Sequence, residues 1–229
     1  MDILPQSQVA EVVVDLPASM LLFDHWNIDY CFAGQLTLAD AVESLGLEMR
    51  DILSELRRLE KQSAAPNWGQ RSIQDLVAQL MEVHHVFNVN SLAGLRPAVT
   101  SVLLTYGPYY DFLSFLSEAT EGLFANMERH MEMENEVIFP RFIALEMDPA
   151  HSTDGFLDIM LEMEGDHAEI GDSFRLIRET TADYKLPEGA CNIFRALYSG
   201  LMELEMDMKV HIHLENNILL PRVRQLLIR

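Results

Sequence analysis

The stretch His130-Met-Glu-Met-Glu134-Asn-Glu-Val-Ile-Phe-Pro140-Arg141 returns 81 residues later as His211-Ile-His-Leu-Glu215-Asn-Asn-Ile-Leu-Leu-Pro221-Arg222. His, Glu, Asn, Pro and Arg recur in the same register. A histidine and a glutamate four residues apart stand one above the other on a single helix face. Two such pairs in one chain are the raw material of a metal site inside a helical bundle.

The surrounding sequence is helical almost throughout, and only Val12-Val13-Val14 leans towards a strand. Residues 1–62 read as a small domain of short helices. One is opened by Pro17 and spans 18–26, one starts at the capping box Thr37-Leu-Ala-Asp40, and one covers 48–61. Residues 63–71, rich in Ser, Ala, Pro, Asn and Gly, read as a linker. Residues 72–229 read as four long helices. The first starts at the cap Ser72, passes His85 and ends at Gly107-Pro108, with Pro97 a point where it can bend. The second covers 108–146, the third 155–180 and the fourth 188–227, with a loop at 148–154. Short connections between long helices predict an all-α, up-down four-helix bundle preceded by a small helical N-terminal domain.

Each apolar stripe of the bundle carries a histidine. Phe112, Leu116, Ala119, Leu123, His130, Glu134 and Val137 follow steps of three and four residues. So do Phe156, Met160, Met163, His167, Ile170 and Phe174, and so do Leu197, Leu201, Leu204, His211, Glu215 and Ile218. A carboxylate on a buried stripe is costly unless paired or metal-bound. On the first helix, Ile73, Leu76, Val77 and Leu80 favour His84, whereas Val89, Leu92 and Val99 favour His85, so periodicity leaves the two open. His85 to His130 spans 45 residues and His167 to His211 spans 44, which favours His85 and a pseudo-two-fold pair of hairpins. Four imidazoles and two carboxylates suit two metal ions, two histidines on each, with Glu134 and Glu215 bridging. Mixed nitrogen and oxygen donors suit iron, with manganese or zinc as alternatives, and the absence of cysteine argues against structural zinc. His213, two residues from His211, is expected at the surface. His151 and His25 are expected to be non-ligands, and the Met-rich tracts (Met127, Met131, Met133; Met202, Met206, Met208) to be core filler.

Composition narrows the partners. The formal charge of −20 disfavours nucleic acid and anionic membrane surfaces. Apolar residues, at 49%, suffice for a core. Two cysteines, Cys31 and Cys191, make neither a disulfide framework nor a zinc ribbon. The chain has no basic and apolar leader and no run of about 18 apolar residues, so it is expected to be cytoplasmic with reduced thiols.

The motifs resemble the RIC family (repair of iron centres), bacterial di-iron proteins with a haemerythrin-like bundle behind a ScdA-type N-terminal domain. The resemblance covers essentially the whole chain. The family's Tyr-His on the first helix matches His84-His85 and makes His85 the ligand, with His84 at a core position. The resemblance implies two iron ions joined by an oxo or hydroxo group, one held by His85 and His211 and the other by His130 and His167, with Glu134 and Glu215 bridging. Where the family has Asp-Tyr-Cys-Cys-Gly-Gly, this chain has Asp29-Tyr30-Cys31-Phe32-Ala33-Gly34. A vicinal dithiol is therefore absent, and Cys31 is left as a candidate redox thiol or a loop residue. The resemblance further implies a role in nitrosative stress. The leading expectation is nitric oxide binding at the di-iron site, which lowers free nitric oxide, as in the DnrN/NorA-like branch. The alternative is an enzyme reducing nitric oxide to nitrous oxide, or an iron donor for damaged iron–sulfur proteins. Dioxygen is a further small ligand, and an electron donor would be required. A haemerythrin-type oxygen carrier fits less well, because haemerythrins use five histidines in an asymmetric set.

Overall fold

A computed structural model of the chain describes residues 3–60, 68, 71–148 and 154–228. Most of the expected linker, and residues 149–153 of the expected loop at 148–154, His151 among them, lie outside the described residues. Among the described residues the helices are α1 (Val9–Asp15), α2 (Ser19–His25), α3 (Leu38–Ser44), α4 (Met49–Glu60), α5 (Ile73–Gln79), α6 (Val86–Tyr106), α7 (Phe112–Met133), α8 (Phe139–Met147), α9 (Phe156–Thr181), α10 (Asn192–Leu214) and α11 (Leu220–Leu227). Three π-helical turns join α5 to α6 (Leu80–His85), α7 to α8 (Glu134–Ile138) and α10 to α11 (Glu215–Leu219). The chain is all-α, and β pairing among the described residues is limited to an isolated bridge between Gln8 and Thr37. Among the described residues no helix is long and apolar enough to cross a membrane.

By packing, the chain divides into two compact units, Val77–Met208 and the combination of Met1–Leu76 with Lys209–Arg229. The first is the bundle. Its stripes bury Leu92, Leu95, Val99 and Val102 on α6, Leu116, Leu123 and Met127 on α7, Met160, Met163, Ile170 and Phe174 on α9, and Leu197, Leu201 and Leu204 on α10. The α6 and α10 helices approach closely at Gly200, where an added Cβ would lie 2.9 Å from the Leu95 side chain. At the end of α6 the Tyr106 ring meets that of Phe194 on α10, 5.5 Å apart. At the end of α9, Ala182, Asp183 and Tyr184 are left-handed, a conformation that is unfavourable for L-residues. Side chains brace them: Thr181 Oγ1 accepts from the Tyr184 N–H at 3.0 Å, and the Tyr184 hydroxyl donates to Glu205 at 2.8 Å.

The second unit packs α1–α4 with the chain's last segment. Val12-Val13-Val14 is helical, correcting the strand leaning, because Val12 and Val13 together with Val9 are fully buried and packing overrides their intrinsic preference. Thr37 caps α3 as expected, its Oγ1 accepting from the Asp40 N–H at 3.1 Å. The loop at Tyr30–Gly34 is fastened to the π turn Glu215–Leu219: Asn217 donates to the Tyr30 carbonyl at 3.1 Å, and a Cβ on Gly34 would meet that carbonyl at 2.7 Å. His213 is fully buried here, not at the surface. Burial pushes its pKa down to about 4, and its Nδ1 faces the Tyr30 carbonyl and Asn217. The expectation failed because this end of α10 is enclosed on every side, with His211–Glu215 all buried.

The four expected long helices are present, but three contain a π turn where a regular helix was expected. The Phe139 N–H bonds to the Glu134 carbonyl and the Leu220 N–H to the Glu215 carbonyl, each five residues back. The cause lies in the repeated frame. Pro140 and Pro221 have no N–H, and their rings would collide with the carbonyl four residues earlier, so the helix widens by one residue to pass them. The apolar stripe slips accordingly. Val137, expected inside, is 38% exposed, and Ile138 is buried in its place. In the same way Val89 is 55% exposed while Asn88 is buried, after the π turn Leu80–His85. Met127, Met131 and Met208 fill core, but Met133, Met202 and Met206 are exposed.

Deleting Val137 removes the extra residue of one π turn and returns the Pro140 ring to the carbonyl four residues earlier. The deletion is therefore expected to lower the thermal midpoint, and Pro140→Ala in the same chain to recover it; an unchanged midpoint on deletion alone would show that the proline does not cause the turn. Gly200→Leu forces bulk against Leu95 and is expected to destabilise the chain by about 1–3 kcal/mol in denaturant titration.

Candidate metal centre

Within the bundle unit, four of the expected ligands converge. His85 closes the π turn Leu80–His85, His130 lies one turn before the end of α7, Glu134 opens the next π turn, and His167 is in the middle of α9. His130, His167 and Glu134 have essentially no exposed surface, and His85 is 4% exposed. The two oxygens of Glu134 face different imidazoles: Oε2 lies 3.3 Å from His85 Nε2, and Oε1 lies 3.2 Å from His130 Nε2. The His130 and His167 Nε2 atoms point at each other across 3.1 Å. Ligand atoms of His130, Glu134 and His167 all lie within 4.8 Å of one another.

The opposite nitrogens are occupied. His85 Nδ1 lies 2.9 Å from Asn135 Oδ1, and His130 Nδ1 lies 3.4 Å from Asp166 Oδ2. Arg129 holds Asp166 from the other side at 3.2 Å. The contact with His130, and then with Arg129, holds the Asp166 carboxyl below its usual range, against the opposing effect of its partial burial. With Nδ1 committed, Nε2 is the nitrogen left to bind a metal. His84 is buried too, but its Nδ1 pairs with Asp207 at 2.9 Å. The π turn explains why periodicity could not separate the two histidines. Leu80 is followed one turn later by both His84 and His85, and only His85 is turned towards Glu134.

In the other unit, His211 and Glu215 are both fully buried, with Nε2 3.2 Å from Oε1. The geometry is that of His130 and Glu134, and Glu215 likewise opens a π turn. His25 is exposed at the end of α2. Cys31 is buried, and its thiol donates to the Lys209 carbonyl at 3.0 Å. Burial, reinforced by the nearby Asp29 charge, pushes its pKa well above the ordinary thiol value.

Carboxylate oxygens and imidazole nitrogens converging on enclosed points are the donor set of a non-haem iron or related divalent site. The residues therefore fit the metal that the sequence implies. Sequence reasoning missed the partners behind the histidines. Asn135 could have been noticed because the Glu-Asn pair recurs as Glu215-Asn216. Asp166 left only the weak signal of preceding His167.

Residues 75–223 match the Hemerythrin HHE cation binding domain, and residues 5–60 match the ScdA_N domain, described as a domain of unknown function (DUF542). The chain is 30% identical over 221 residues to the iron-sulfur cluster repair protein ScdA of Staphylococcus haemolyticus, covering 93% of this chain and 96% of that protein. It is 29% identical over 215 residues to the iron-sulfur cluster repair protein YtfE of Pectobacterium carotovorum, covering 93% and 95%. It is 28% identical over 212 residues to the YtfE protein of Yersinia pseudotuberculosis serotype IB, covering 92% and 93%. With a ScdA-type domain followed by a haemerythrin-type cation-binding domain, and with relatives of this kind matching along nearly its whole length, the chain belongs to the RIC family of iron–sulfur cluster repair proteins.

Proposed function

We propose that the chain holds two iron ions and serves the repair of damaged iron–sulfur proteins by supplying iron from that site. The observation that carries this reading is Glu134, whose two oxygens each face a different imidazole, the arrangement of a bridging carboxylate. In this reading His85 and His211 serve one ion, His130 and His167 serve the other, and Glu134 and Glu215 bridge the two. The matched frames around His130 and His211 support adding His211 and Glu215 to the bundle's four ligands. Helix α10 supports it as well, since its buried stripe of Leu201, Leu204 and Met208 runs on in the same three- and four-residue steps to His211 and Glu215. The names of the relatives, iron-sulfur cluster repair proteins, support the repair role.

A second reading is nitric oxide binding at the same ions, with or without its reduction to nitrous oxide. Bound iron would supply the redox-active coordination chemistry, and this chain's residues would fix the two ions side by side in a water-excluding core. Its support is the state of Cys31. With Phe32 in place of a second cysteine and the thiol buried and protonated, chemistry at the N-terminal loop is disfavoured and the metal centre is left to act.

Anaerobic reconstitution is expected to give two irons per chain by elemental analysis. His130→Ala and Glu134→Ala are expected to retain less than about a tenth of wild-type affinity. Mixing the loaded protein, with dithionite as the electron source, with an iron–sulfur dehydratase whose four-iron cluster has lost one iron is expected to restore that enzyme's activity without added iron. No restoration, with a stable nitrosyl spectrum on adding nitric oxide, would move the function to the second reading, and absence of bound iron would sink both. In the folded protein at pH 8, iodoacetamide is expected to modify Cys191 first. That thiol is partly exposed, and its pKa is lowered chiefly by the Tyr106 hydroxyl. Faster modification of Cys31 would contradict its buried, protonated state.

A further inference from the structure

We propose that Asn135 and Asp166 are positioning residues that make the two metal positions unequal, so that the ion beside His85 is released before the ion beside His130. The inference rests on the two-metal reading above. Both residues act through an imidazole. Each meets the Nδ1 of a ligand histidine whose Nε2 faces Glu134, at 2.9 Å for Asn135 on His85 and 3.4 Å for Asp166 on His130. A histidine that gives Nε2 to a metal must keep its proton on Nδ1, so the partner must accept. The amide oxygen of Asn135 and the carboxylate of Asp166 both do.

They differ in charge. A carboxylate draws the Nδ1 proton towards itself and makes Nε2 a stronger donor, whereas a neutral amide fixes the ring but does this far less. Asp166 is braced by both terminal guanidinium nitrogens of Arg129, at 3.2 and 3.4 Å, so its charge is held in place behind His130. In the two-metal reading each position takes two imidazoles and a share of Glu134, whose Oε2 faces His85 and Oε1 faces His130, so the charge behind the ring is what sets the positions apart. The π turn Glu134–Ile138 serves both roles, since it opens with Glu134 facing two imidazoles and follows at once with Asn135 at the back of one of them.

The test is iron release. The protein is loaded anaerobically with ferrous iron, the metal is counted, and a ferrous chelator is added in excess while its absorbance is followed. Two phases of equal amplitude are expected. Asn135→Asp places a carboxylate behind His85 and is expected to slow the fast phase about ten-fold, leaving the slow phase within about two-fold. Asp166→Asn is expected to speed the slow phase about ten-fold, and Asp166→Glu to restore it. A merely structural role predicts that either substitution at 135 or 166 changes both phases together, and that result overturns the proposal. So does single-phase release of two irons in the wild type. Melting of each iron-free variant within a few degrees of the wild type separates these results from misfolding. Should Asn135→Asp misfold, the Asp166→Asn and Asp166→Glu pair decides the matter alone. A chain that takes up no iron overturns the two-metal reading instead.

Discussion

The Glu134 carboxylate has no exposed surface and lies between two imidazoles on different helices. Removing a carboxylate from water costs several kcal/mol unless charge and hydrogen bonds are returned to it inside. That cost dictates much of the bundle. The helices must bring His85 and His130 to opposite sides of one residue, and the rings must be held by their far nitrogens so that their near nitrogens point inward. The apolar stripes on α6, α7, α9 and α10 provide the dry surroundings in which such contacts are strong.

Local chain geometry meets the same demand. A π turn widens the helix and lets neighbouring residues share an inward face that a regular helix would separate by about 100°. Glu134 and Asn135 use this directly. At the first helix, the turn ending at His85 brings two consecutive histidines into the interior with different partners: His84 faces Asp207 and His85 faces Asn135 and Glu134. The prolines that force two of the turns lie on the far side of them from His130 and His211, so the helix N-terminal to each glutamate remains regular.

The helices and the buried, converging histidines were legible in the sequence because burial imposes a period, and the period survives in Leu116, Leu123, His130 and Glu134 or in Met160, Met163 and His167. The third of these helices, α9, lacks a π turn, and its stripe was read without a slip. Where one extra residue enters, the period jumps, and the sequence misplaced Val137 and Val89. Pro140 and Pro221 carried the necessary signal, read only as members of the repeated frame. No comparable mark precedes His85, so that turn had no local sign. His213 escaped for another reason: periodicity assigns one buried face to a helix, and this end of α10 is covered all round. Val12-Val13-Val14 shows the converse, a strand-favouring run held in a helix by what it packs against.

One packing unit is discontinuous in the chain, formed by Met1–Leu76 and Lys209–Arg229. During synthesis its first helices leave the ribosome long before their partners exist. At about 5–20 residues per second the wait is on the order of ten seconds. In that interval Tyr30 lacks Asn217, Cys31 lacks the Lys209 carbonyl, and the valines of α1 remain without their full cover. The continuous unit, Val77–Met208, is complete before the chain ends. The order of folding is thereby reversed with respect to the order of the sequence: the middle can assemble first, and the beginning waits for the end.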